Sequence, residues 1–121
     1  MDIEIYREYC LSKSFVTEEF PFDRETLVFK VKGKIFALCG ISNFKSVNLK
    51  CDPDRAVELR EQFDAVIPGY HMNKKHWNTI VFDGSISWKQ TKEWIDHSYD
   101  LVVKSLPKKD REEIKSPIRN K

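Results

Sequence analysis

A chain of 121 residues and 14.3 kDa has the length of one domain and can bury about two-thirds of its unfolded surface without staples. Its 40% apolar, 12% aromatic and 33% charged residues exclude a disordered or fibrous protein, and no run approaches the ~20 apolar residues of a membrane span. A net charge of +2 does not by itself point to nucleic acid, and Asp2 and Glu4 flanking Ile3 and Ile5 argue against a secretory leader, so a cytoplasmic protein is expected.

The first helix is expected from Ile3 to Lys13, capped by Asp2, with Ile3, Tyr6 and Cys10 on its apolar stripe. Residues 16–25 read as an acidic connection with Phe20 and Phe22 tucked against the core. Leu27, Phe29 and Val31 alternate with lysines, and after Gly33 the run Ile35–Ile41 is apolar in both phases. These two segments predict a hairpin whose second strand is covered on part of each face. Val47, Leu49 and Cys51 make a third strand of an antiparallel meander.

Asp52-Pro53-Asp54 is a helix start, with a side-chain cap, a proline in the first turn and a second carboxylate at the positive end of the dipole. That helix stops near Asp64, before Pro68-Gly69; residues 65–67 can form a short strand and Trp77–Phe82 a further one. The last helix begins at Ser87, with Gln90 completing a capping box, and Pro107 closes it. Nine charges in residues 108–121 predict a mobile tail with at most a frayed helical turn beyond a domain of residues 1–107. Consecutive strands with segregated helices imply an α+β fold, an antiparallel sheet and helices in two layers.

Cys10, Cys39 and Cys51 are odd in number and widely spaced, and each replaces an apolar side chain in its local period; reduced, buried thiols are expected. No CxxC occurs, and His71 and His76 are five apart, off the spacing that places two ligands on one helix face, so neither metal nor cofactor is expected.

Charge is unevenly distributed. Residues 27–51 hold Lys30, Lys32, Lys34, Lys45 and Lys50 and no acid, and residues 65–82 hold Lys74 and Lys75 and no acid; residues 1–26 and 52–64 are acidic in balance. Basic strands opposed to acidic helices suit a protein that meets a polyanion through its sheet, although lysines on edge strands also guard against aggregation. The densest polar cluster, Tyr70-His-Met-Asn-Lys-Lys-His-Trp77, offers phosphate donors, an amide for a base edge and rings for stacking. The same residues have a structural reading, in which Asn73 and His76 brace the loop and Tyr70 and Trp77 fill the core.

His-x-Asn-Lys-x-His-Trp at 71–77, Asp83-Gly84-Ser85, Ser98-Tyr99, Phe29-Lys30-Val31, Gly33-Lys34-Ile35-Phe36-Ala37 and Val47-Asn48-Leu49-Lys50 together closely resemble the MmcQ/YjbR family of small bacterial proteins, over about residues 1–107. The resemblance implies a secretion-chaperone-like α-β(3)-α-β(2)-α fold. It also implies DNA binding, a description that rests on likeness to a double-wing transcription-factor domain; fold alone does not fix function.

The functional expectation is therefore a non-enzymatic, monomeric DNA-binding protein. Lys32, Lys34, Lys50, Lys74 and Lys75 would position the phosphate backbone, and Asn73, His76 and Trp77 would approach the bases. The alternative is a protein-interaction or chaperone-like module that takes an acidic partner segment, in part by strand addition. A third reading, an enzyme built on His71, His76 and Asp83, lacks a nucleophile motif, a phosphate loop or metal spacing.

Overall fold

The computed structural model describes residues 1–69 and 72–115. Its elements in chain order are α1 (Ile3–Leu11), β1 (Val16–Glu19), β2 (Thr26–Val31), β3 (Lys34–Gly40), β4 (Ser46–Lys50), α2 (Pro53–Gln62), β5 (Val66–Pro68), β6 (Trp77–Val81), α3 (Trp88–Lys104) and α4 (Lys108–Lys115). The strands form one antiparallel sheet in the order β1-β2-β3-β4-β6-β5. The expected α+β class is the observed one.

The caps act as their chemistry dictates. Asp2, Asp52 and Ser87 each accept a backbone N–H of the first turn of α1, α2 and α3, satisfying donors that have no intrahelical partner. The β2–β3 hairpin turns on Lys32 and Gly33, both at positive φ (51° and 84°), the twist that joins two right-handed strands in two residues. Between Phe29↔Ala37 and Lys30↔Ile35 the register slips, so Phe36 is an extra residue on β3. This bulge accounts for the double apolar phase of that strand: Phe36 and Ala37 both join the core, while Leu38 does not.

The core lies on one face of the sheet, where Leu27, Phe29, Val31, Val47, Leu49 and Ile80 meet Tyr6 and Cys10 of α1, Ala56 and Leu59 of α2, and Trp94, Ile95, Tyr99 and Val102 of α3. Edge-to-face ring pairs, Tyr6 with Phe29 and Phe36 with Tyr99, lock helices to strands, and Phe63 with Trp94 joins the end of α2 to α3. Cys10, Cys39 and Cys51 are free and buried in this cluster.

Three expectations need correction. Residues 16–19 are a strand, because Val16↔Val31 pairing extends the ladder and Arg7 holds Glu18 through two 2.6 Å bonds. Phe20 and Phe22 are 48% and 67% exposed and do not enter the core. Residues 108–115, expected to be mobile as part of the tail, are a helix, docked by Ile114 against the core and by an ion pair from Glu113 to Lys32. Residues 116–121 of that tail lie outside the described residues.

Candidate nucleic-acid interface

Antiparallel pairing decides which connections share an end of the sheet. β2 arrives at the 32–33 turn and β3 leaves it, β4 returns to that end at Lys50, β5 reaches it at Pro68, and β6 departs from it at Trp77. Lys34, Lys50 and the 69–77 connection therefore emerge together, with β3, β4 and β6 spaced at about 4.8 Å per strand. Lys50 and Trp77 are cross-strand neighbours on one sheet face.

Gly69 makes this corner possible. A Cβ there would sit 2.7 Å from the Trp77 Cβ and 2.9 Å from its carbonyl oxygen, so only glycine lets β5 approach the start of β6 and donate its N–H to Trp77 O at 2.8 Å. Asn73 then closes the connection. Its Oδ1 accepts the Lys75 N–H at 2.9 Å, and its carbonyl accepts the N–H groups of His76 (3.2 Å) and Trp77 (3.0 Å). The His76 carbonyl accepts the Cys51 N–H at 2.8 Å, and Arg60 of α2 donates to the Lys74 carbonyl at 3.0 Å. The loop is thus pinned to β4, β5 and α2, leaving Lys74 and Lys75 exposed at its tip and His76 and Trp77 half-buried.

The lysines expected at phosphates differ in their partners. The Lys32 ammonium lies 3.1 Å from Glu113 and 4.2 Å from the centre of the Phe15 ring, so its charge is matched by α4 and shielded by an aromatic face. Lys30 is likewise 3.2 Å from Glu19. Lys34 donates to the Ser105 carbonyl at 3.5 Å, at the negative end of α3. Lys34, Lys50, Lys74 and Lys75 have no carboxylate partner within salt-bridge distance among the described residues. Asn73 is also altered as a base reader: its oxygen is engaged inside the turn, so its amide nitrogen alone remains to donate.

The enzyme constellation is not assembled. His76 precedes β6 at one end and Asp83 follows it at the other, seven residues of mostly extended chain and on the order of 20 Å apart. Asp83 instead accepts from the Ser85 N–H and Oγ, bonds that hold its carboxyl below the ordinary carboxylate range. His71 and Tyr70 lie outside the described residues. No group of three His, Cys, Asp or Glu side chains suited to a metal ion occurs among the described residues.

Two residues that support this end were not singled out as site residues from sequence. Ser98 is fully buried, and its Oγ accepts the Lys50 N–H at 2.9 Å while donating to the Phe36 carbonyl, so α3 fixes both the bulge and the end of β4. A hydroxyl within a largely apolar helical stripe was the available signal. Arg60 carried no signal beyond its charge.

A family model described as YjbR matches residues 11–101. The chain is 35% identical over 113 residues to the uncharacterized protein YbdF of Escherichia coli O157:H7, covering 93% of each, and 34% identical over 112 residues to the uncharacterized protein YjbR of Escherichia coli strain K12, covering 92% of this chain and 95% of the relative. Among solved structures it is similar to Deinococcus radiodurans protein DR2400, with TM-score 0.88 and 39% identity over 95% of this chain and 88% of that one. A crystal structure of a Pseudomonas syringae protein follows at TM-score 0.70 and 27% identity, over 84% of this chain and 98% of that one.

Proposed function

The chain belongs to the YjbR family, and from the geometry of its own sheet end we propose that it is a non-enzymatic DNA-binding protein of the cytoplasm. The observation that carries this reading is the emergence of Lys34, Lys50, Lys74 and Lys75 from three separate segments at one end of the sheet, without carboxylate partners among the described residues, beside the half-buried ring of Trp77. Their four charges suit phosphates, and Trp77 and the Asn73 amide nitrogen face the interface chemistry that bases offer. Lys32 is excluded from the contact set by its pairing with Glu113.

The two sheet edges favour this reading over a strand-adding protein partner. β5 is three residues long and ends in a proline, and β1 is four residues long with both of its glutamates engaged in ion pairs. Short, charged or proline-ended edges resist an added strand.

The test is a titration of labelled duplex DNA at two salt concentrations. Four phosphate contacts imply a slope near −3.6 in log K against log salt, or about a hundredfold loss of affinity from 50 to 200 mM. Lys74→Ala with Lys75→Ala should reduce that slope by about 2, whereas Lys45→Ala, at the opposite end of the sheet, should leave it unchanged. Absence of binding at low salt, or an unaltered slope in the Lys74/Lys75 double variant, overturns the proposal.

A further inference from the structure

The three helices of the core occupy one face of the sheet, and residues of the opposite phase are left to the other: Thr26, Val28 and Lys30 on β2, Leu38 on β3, Asn48 on β4 and Thr79 on β6. On this second face lies a cavity of about 350 Å³. Its described lining includes Phe22, Thr26, Leu38, Asn48 and Met72. That volume is within the range of small-molecule sites, which run from ~300 to 1,000 Å³.

We propose that this cavity binds an uncharged, planar aromatic small molecule that carries one hydrogen-bond acceptor. Three observations define the ligand. Phe22, a lining residue, is 67% exposed and offers a stacking face. Leu38 and the Met72 thioether supply an apolar and polarizable surround, which favours a flat apolar body. Asn48 contributes a side-chain amide to the lining. Its Oδ1 accepts the Thr79 hydroxyl, which leaves the Nδ2 hydrogens to donate and so requires an acceptor on the ligand.

Among the described residues the lining contains no Lys, Arg, Asp, Glu or His, so none of them supplies a counter-charge there. Nearby, Lys30 pairs with Glu19, while Asp23, which accepts the N–H groups of Glu25 and Thr26, is held as a carboxylate. An anionic ligand would give up its hydration here without a counter-charge among the described lining residues. The inference is independent of DNA binding, since none of the lysines assigned to phosphate contacts lines the cavity.

The experiment is an NMR titration of the 15N,13C-labelled full chain with benzamide, a ring bearing a carbonyl acceptor. The expected result is a saturable shift of the Asn48 side-chain amide and the Met72 methyl group, with a Kd on the order of 10 mM for a ligand of this size. Benzoate, which has the ring but a charge, and hexanamide, which has the acceptor without the ring, should each bind about fivefold more weakly or worse. Phe22→Ala should weaken benzamide to a similar degree with an unchanged melting temperature, because the ring is mostly in solvent. Lack of a saturable Asn48 shift, equal binding of benzoate or hexanamide, or undiminished binding to the Phe22 variant each overturns the proposal.

Discussion

Single side chains in this protein join elements that the chain sets far apart, and Ser98 shows how much one hydroxyl can carry. It is fully buried and reaches across 62 residues to the Phe36 carbonyl and 48 to the Lys50 N–H. The β3–β4 ladder pairs only Ala37↔Leu49 and Leu38↔Asn48, so these two backbone groups lie beyond it and take the serine as their partner. Ser98→Ala removes both bonds and leaves a buried donor and acceptor unmatched. A destabilisation of about 1–3 kcal/mol is expected, read as a lower midpoint in chemical denaturation with an unchanged m-value. The requirement for a buried hydroxyl cannot be read from a helical stripe, because the periodicity of Thr91, Trp94, Ile95 and Ser98 says which face is buried and nothing about which backbone groups it meets. For the same reason Phe20 and Phe22 were expected inside: composition marks an aromatic residue as core material, while side-chain direction depends on how the connection crosses the strands.

At the scale of elements, α2 and α3 are joined by a bond with a pH dependence of its own. The Asp52 N–H donates to Nε2 of His97 at 3.2 Å, so the ring must be unprotonated at that nitrogen. Burial lowers the His97 pKa, Arg55 and Lys104 act in the same direction, and Asp52 and Asp100 oppose them. A histidine whose folded pKa is depressed binds fewer protons than it does unfolded, so its contribution is present above the ordinary value of ~6.5 and is lost as pH falls through the lower folded value. Denaturation midpoints should therefore decline between neutral and mildly acidic pH, and His97→Asn should flatten that decline. Midpoints of equal pH dependence in the two proteins would contradict this role. The elements that escaped the sequence reading, β1 and α4, are those whose existence depends on a partner. The two glutamates of Val-Thr-Glu-Glu are held in the strand by donation from Arg7 to Glu18 and from Lys30 to Glu19, and Lys108–Lys115 has no buried residue of its own and docks through half-buried Ile114 and the Glu113–Lys32 pair.

Across the whole molecule, one core shields all three thiols. Burial pushes Cys10 and Cys39 up to about 12 and Cys51 to about 11, which keeps the thiolate scarce in the folded protein. The three cysteines should react with Ellman's reagent at about pH 8 only at the rate of unfolding, and all at once after guanidinium denaturation. Rapid labelling of even one thiol in the native protein would contradict the core assignment. The sign of the linkage is opposite to that of His97. An acid with a raised folded pKa stays protonated while its unfolded counterpart ionises, so stability should fall as pH rises above the ordinary thiol range, leaving a maximum between the histidine and cysteine windows.

Local patterning was enough to specify the α+β class, the caps at Asp2, Asp52 and Ser87, the 32–33 hairpin and the buried cysteines, because each follows from period, turn chemistry or burial preference within a few residues. The charge of residues 27–51 and 65–82 was legible in the same way. What that charge can touch was settled by long-range contacts. Antiparallel order brought Lys34, Lys50, Lys74 and Lys75 to one end, Glu113 from eighty-one residues away neutralised Lys32, and the second sheet face acquired a cavity from Phe22 and Met72. Partners so distant in the chain leave no mark on the local pattern at either residue, since electrostatic pairing and cavity shape depend on positions in space that only the folded backbone provides.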